Sequence, residues 1–100
     1  MFVRVEALLN VGRALGRNNF DVLLPEGFKL SDLLKAIKVP GKGTVYEMMI
    51  DENGHLDSHY DLELNDQRIH EDMLDKELKE HDLIIMSDII HVPGGAFAAV

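Results

Sequence analysis

Four residues suited to chemistry fall within seven positions: His55, Asp57, His59 and Asp61. On a regular strand their even spacing would place them on one face, offering nitrogen and oxygen ligands to a divalent cation. The same pattern suits a polar, solvent-facing edge beside a turn, and no metal is assigned to it. Asp51-x-Asn53 resembles the start of a calcium loop, but Gly54 comes at the fourth position rather than the sixth and no Glu occupies the twelfth. The three serines, Ser31, Ser58 and Ser87, lack a nucleophile-elbow context. Ser31 is placed near a helix N-terminus, where a hydroxyl can bond free amides. Gly41-x-Gly43 is too short a signal for a phosphate-binding loop. The chain has no Cys, which excludes a disulfide framework, a zinc ribbon, a Cys-ligated iron–sulfur cluster and a thiol nucleophile. These exclusions argue against an autonomous enzyme.

The remaining candidate is the main chain itself. The sequence closes with Val92-Pro93-Gly94-Gly95-Ala96-Phe97-Ala98-Ala99-Val100. Paired glycines carry no side chains and can thread a narrow channel, bringing a carboxyl carbon to a buried catalytic centre. The alternative is a disordered tail.

The elements that would position these groups follow from periodicity. Val3, Val5, Ala7 and Leu9 alternate with Arg4 and Glu6, a half-buried strand over residues 2–9. Residues 10–18, with Asn10, Gly12, Gly16 and Asn18, read as a turn-like connection. Phe20, Val22 and Leu24 alternate again, so the opening reads as a β-hairpin. Leu30, Leu33, Leu34 and Ile37 mark the buried stripe of an amphipathic helix, which Pro40, Gly41 and Gly43 stop. Residues 44–50 fit either a short helix or a strand. Asn53-Gly54 predicts a turn with positive φ at both central positions. Tyr60, Leu62 and Leu64 form another alternating strand, followed by a tight turn at Asn65-Asp66. Leu74 and Leu78 sit in an irregular or 3₁₀ stretch. Leu83-Ile84-Ile85-Met86 reads as a central strand covered on both faces, parallel to a neighbour.

The chain has 100 residues, 46% hydrophobic and 6% aromatic, which supports one domain with one aliphatic core. Its net charge of −8 is uneven: residues 1–50 carry seven basic and five acidic groups, residues 51–100 three and thirteen. An acidic chain does not neutralise phosphates, which argues against nucleic acid and anionic membrane surfaces as partners. A basic protein partner is one reading of the acidic residues Asp51, Glu52, Asp57, Asp61, Glu63 and Asp66; a solvated face is the other. Arg4 and Glu6 interrupt the first apolar stretch, so no signal peptide is read. Asp88, Pro93 and the glycines spoil residues 83–100 as a membrane span. A cytoplasmic protein is expected.

In order and spacing, these motifs resemble the MoaD/ThiS-like sulfur carriers, a branch of the ubiquitin-like β-grasp proteins. Five features carry the resemblance. They are the opening hairpin; Leu24-Pro25-Glu26-Gly27 leading into Ser31-Asp32-Leu33-Leu34-Lys35-Ala36-Ile37; Leu62-Glu63-Leu64-Asn65; Leu78-Lys79-Glu80-His81-Asp82-Leu83-Ile84-Ile85; and Pro93-Gly94-Gly95. His81 and Asp66 stand where the family usually has Gly, at positions that call for positive φ, which His and Asp enter more readily than most residues. The resemblance implies an α+β, single-domain β-grasp: a mixed four- to five-stranded sheet on one main helix over residues 1–88, with a flexible C-terminal tail over 89–100.

The resemblance also implies a function. A partner adenylating enzyme uses ATP-Mg to convert a terminal glycine carboxylate, here that of Gly95 with Gly94 as spacer, to an acyl-adenylate. Sulfur then replaces AMP to give a thiocarboxylate, which a sulfur-accepting enzyme uses in molybdopterin or thiamine biosynthesis, tRNA thiolation or cysteine synthesis. No cofactor is bound by the carrier itself. Because Ala96–Val100 follow the diglycine, a tail-trimming protease must act first. Ile90, Val92, Pro93 and Phe97 are the expected partner-binding residues, beside the exposed face of the sheet. Two alternatives stay open: a non-catalytic adaptor or regulatory subunit whose tail docks into a partner through Phe97, and conjugation of Gly95 to lysines.

Overall fold

The computed structural model describes residues 1–88, with only the backbone described at Glu71 and Asp72. The expected tail, including Ile90, Val92, Pro93, Gly94, Gly95 and Phe97, lies outside the described residues.

Alternation decides the first strand. β1 (Phe2–Ala7) turns Val3, Val5 and Ala7 into the core at 1% exposure or less and leaves Phe2 and Arg4 in solvent. Its antiparallel neighbour β2 (Asn19–Leu23) pairs Val3 with Val22 and Val5 with Phe20. The strands are therefore partnered as expected, but their connection is a helix. α1 (Leu9–Leu15) buries Val11, Gly12 and Leu15, and Gly16 closes it in the left-handed conformation at φ 73°, its N–H on the Gly12 carbonyl. The expected extension of β1 to Leu9 fails with it, since Leu9 lies outside the core at 54% exposure.

α2 (Leu30–Ala36) is the main helix and buries Leu30, Leu33 and Leu34 completely. Its first turn is capped by Asp32, which accepts the Lys29 N–H at 2.9 Å, and not by Ser31. A small ribbon, β3 (Lys38–Val39) and β4 (Gly43–Thr44), follows. Residues 44–50 resolve as a helix: the Thr44 hydroxyl accepts the Glu47 N–H at 3.3 Å and starts α3 (Val45–Met49). In the turn that follows, Glu52 and Asn53 are the central residues. Only Gly54 has positive φ, 80°, with its N–H on the Asp51 carbonyl. The Asn-Gly pair is thus displaced by one position from the expected hairpin geometry.

β5 (Tyr60–Leu64) and β6 (Gln67–Arg68) are joined by Asn65 and Asp66 at φ 51° and 70°, a two-residue turn with positive φ at both positions. A 3₁₀ turn (Glu71–Asp75) leads to Leu78, buried at 1% exposure, and His81 takes the expected positive φ, 69°. β7 (Leu83–Asp88) runs parallel to β1 and antiparallel to β5, giving the mixed order β2-β1-β7-β5-β6. Ile84 and Met86 are fully buried, while Leu83 and Ile85 are half-buried on the opposite face, so β7 is covered on one side rather than two. The α2 helix covers the inner face of this sheet, as the resemblance implies. No helix among the described residues is long and apolar enough to cross a membrane.

Candidate functional site

The diglycine is attached to the fold through the C-terminal end of β7, so the surroundings of Asp88 are the described part of the candidate site. Two hydrogen bonds build them. The Leu8 N–H donates to the Met86 carbonyl at 2.9 Å, continuing the parallel ladder one residue past β1. The Val11 N–H donates to the Asp88 Oδ1 at 3.0 Å, so the last described residue of β7 holds the first turn of α1.

Gly12 sets the height of α1 above the sheet. A Cβ there would lie 2.4 Å from the Asn18 Oδ1 and 2.6 Å from the Ala7 carbonyl oxygen. Only a residue without a Cβ permits that approach, so Gly12 is a packing glycine and not the turn residue its neighbours suggest. Leu9 opens the helix at φ 55°. For an L-residue the left-handed conformation costs about 1–2 kcal/mol. The side chain gains little in return, because Leu9 and Leu8 are 54% and 44% exposed.

A cleft of about 460 Å³ opens beside this end of the sheet, with Asn10, Val11, Lys42, His59, Tyr60 and Asp88 in its wall. The outer face of the sheet is mixed. Phe2 lies opposite Leu23 in register, at 50% and 67% exposure, next to the Arg4–Asp21 ion pair at 3.6 Å.

The metal candidates do not converge. Residues 55–59 do not form a regular strand: Leu56 makes an isolated bridge to Ile50, and Ser58 and His59 lie in a turn. Asp57 Oδ1 accepts the His59 backbone N–H at 2.9 Å and lies 2.7 Å from the His59 Nδ1. These contacts, led by the backbone bond, hold the Asp57 carboxyl below its ordinary value of 3.8. Asp61 faces the other way along β5 and accepts from the Arg68 Nε at 2.9 Å. Asp51 Oδ1 accepts the N–H groups of Asn53 and His55, both at 2.9 Å. No group of three metal-ligating side chains occurs among the described residues. Ser87 sits opposite Asp61 in the β5–β7 ladder, and Ser58 lies in the exposed turn.

Sequence reasoning missed α1 and with it Leu8, Leu9 and the capping by Asp88. The usable signal was Val11, Ala14 and Leu15 at i, i+3, i+4, masked by Gly12 within the helix and Gly16 directly after it.

A scan against protein-family models finds no match, and no curated protein matches the sequence. Solved structures do resemble the chain. Small archaeal modifier protein 1 of Haloferax volcanii superposes with a TM-score of 0.74 at 13% identity, covering 93% of this chain and 100% of that one. A Pyrococcus furiosus protein described as molybdopterin converting factor subunit 1 gives 0.68 at 20% identity, covering 90% and 99%. Small archaeal modifier protein 1 of Methanosarcina acetivorans gives 0.68 at 22% identity, covering 92% and 96%. Identities this low speak for architecture alone, and with the mixed sheet on its helix they establish it: the chain has the ubiquitin-like β-grasp fold of the MoaD- and ThiS-like proteins.

Proposed function

We propose that this protein is a ubiquitin-like sulfur carrier whose reactive group is the Gly95 carboxylate, freed by removal of residues 96–100. The observation that carries this reading is the placement of Gly94-Gly95 six and seven residues beyond the end of β7, on a β-grasp fold. Likeness to a molybdopterin converting factor subunit supports it.

The chemistry follows from the poor reactivity of a carboxylate. In the partner adenylating enzyme, a Gly95 carboxylate oxygen attacks the α-phosphorus of ATP and pyrophosphate leaves. The acyl-adenylate is electrophilic at carbon. The terminal sulfur of a persulfide attacks it and AMP leaves; a thiol then takes up the donor's inner sulfur as a disulfide, releasing the thiocarboxylate. A sulfur-accepting enzyme consumes that group. In this scheme the fold serves for recognition, and the carrier is a substrate rather than an enzyme.

The test is the intact mass of the protein isolated from its own cells. The expected mass ends at Gly95, with a fraction heavier by the difference between sulfur and oxygen. Full-length chain alone, in cells that contain the adenylating enzyme, would refute the reading. A second reading, conjugation of Gly95 to lysines, is favoured by the likeness to two small archaeal modifier proteins. Lysines joined through an isopeptide bond to a peptide of this chain ending at Gly95 would select it. Loss of a stable complex on deleting residues 96–100, with no acyl-adenylate formed, would select the adaptor.

A further inference from the structure

We propose that the outer edge of β2 is a self-association surface, at which two copies of this chain join as antiparallel strands into one continuous sheet. β2 ends the order β2-β1-β7-β5-β6, so a partner strand lies on only one of its sides. Parity fixes which groups face outward. Met1 and Leu24 exchange both main-chain bonds, at 2.7 and 2.8 Å, and the Ala7 N–H donates to the Asn18 carbonyl at 2.8 Å. Such pairs alternate along an antiparallel ladder, so Phe20 and Val22 bond β1, while the N–H and C=O groups of Asn19, Asp21 and Leu23 point away from it. An open row of this kind is a template for another strand. The side chains along it leave apolar surface in solvent. Leu23 is 67% exposed, and Phe20 and Val22 are only half-buried where they pack on the core.

Charge and register name a second copy as the occupant. Exposed side chains of opposite sign flank the strand. Arg17 precedes it, with its guanidinium 3.8 Å from the centre of the Phe20 ring and no carboxylate partner among the described residues. Glu26 follows it and is 85% exposed. A twofold antiparallel pairing brings each Arg17 to the end of the edge where the other copy's Glu26 lies. One register satisfies the edge. With Val22 opposite Val22 of the second copy, Phe20 faces Leu24 and Asp21 faces Leu23, so the outward groups of Asp21 and Leu23 are paired in both copies. Sliding one strand by two residues puts Asp21 opposite Asp21 in one direction, a like-charge pair, and Pro25, which has no N–H, opposite Asp21 in the other. Because β1 separates β2 from β7, pairing at this edge leaves the end of β7 free.

The test uses the full chain and sedimentation equilibrium from about 20 µM to about 1 mM. A five-residue edge buries less than the ~1,200 Å² of a standard interface, and a net charge of −8 on each copy opposes association, so the expected dimer is weak, with Kd roughly 100 µM. Leu23→Asp, at an exposed position, sets a carboxylate opposite Asp21 of the second copy and should raise Kd at least about tenfold. The chain has no cysteine, so single cysteines read the register independently of that variant. Val22→Cys should form an intermolecular disulfide, because the two Cα atoms would stand about 4.5 Å apart. Leu23→Cys, diagonally offset from its copy by about 7–8 Å, should do so at least about tenfold more slowly. A wild-type chain that is monomeric at the highest concentration, an unchanged Kd in Leu23→Asp, or disulfide formation as fast at residue 23 as at residue 22 would overturn the proposal.

Discussion

Replacing Gly12 by alanine separates two views of the β1–β2 connection. In an ordinary exposed helix, Gly→Ala stabilises by about 1 kcal/mol through backbone entropy. Here the added methyl would meet the Asn18 Oδ1 at 2.4 Å and the Ala7 carbonyl oxygen at 2.6 Å. The first contact can relax, because it involves the end of a side chain. The second cannot, because Ala7 is held in β1, with its N–H on the Asn18 carbonyl at 2.8 Å and its Cβ buried in the core. An ordinary van der Waals contact needs about 3.4 Å or more, so α1 must lift by most of an ångström. That movement stretches the 3.0 Å bond from Val11 to Asp88 and admits water around Val11 and Leu15. Overpacking of this kind costs about 1–3 kcal/mol, which outweighs the propensity gain. The expected net loss is up to about 2 kcal/mol, or a fall in Tm of up to about 15 °C for a domain of this size. Thermal unfolding followed by far-ultraviolet circular dichroism measures it. The double variant Gly12→Ala with Asn18→Ala should recover only part of the loss, since the carbonyl contact remains. A Tm equal to or above wild type in the single variant would refute the packing argument and return residues 9–15 to an ordinary surface helix.

Two further expectations follow from local geometry. His81→Gly relieves a left-handed L-residue at φ 69°, worth about 1–2 kcal/mol, against a glycine entropy cost of about 0.5–1 kcal/mol. Tm should rise by a few degrees, and a fall would show that the imidazole makes a stabilising contact larger than the strain. Asp57 has its folded pKa depressed by the His59 N–H and ring, so its contribution to stability is complete above the unfolded value and is lost as pH falls through the lower, folded value. An NMR titration of the Asp57 carboxyl should give a midpoint below 3.8, and Asp57→Asn should abolish that part of the acid dependence; a midpoint at or above 3.8 would exclude the turn described for residues 57–60.

Much of this fold can be read along the chain, because its signals are local. Alternation at Val3, Val5 and Ala7, the stripe of Leu30, Leu33, Leu34 and Ile37, and the paired positive φ at Asn65 and Asp66 each depend on neighbours within a few residues. Hydrophobic periodicity reports which side of an element is buried without needing to know against what. The metal pattern at His55, Asp57, His59 and Asp61 misled for a related reason. Even spacing shares a face only if the backbone is extended, and the side-chain bonds of Asp51 and Asp57 to following N–H groups bend it into turns instead.

The absence of cysteine and the diglycine are properties of the sequence alone. If the protein carries sulfur as proposed, no thiol side chain can hold it, and the trimmed main chain at Gly95 is the group left to do so. Three things were decided by tertiary structure. Residues 9–15 became a helix because β1 and β7 are parallel, which brings Asp88 to the free N–H of Val11 and gives Val11 and Leu15 a core to enter. Gly12 became a packing residue because that helix lies against β1. Leu8 and Leu9 came to the end of β7 because the Leu8 N–H meets Met86, 78 positions away, and the Val11 N–H meets Asp88, 77 positions away. None of these pairings has a local signal: each is a contact between distant segments, and its energy exists only once the sheet has assembled.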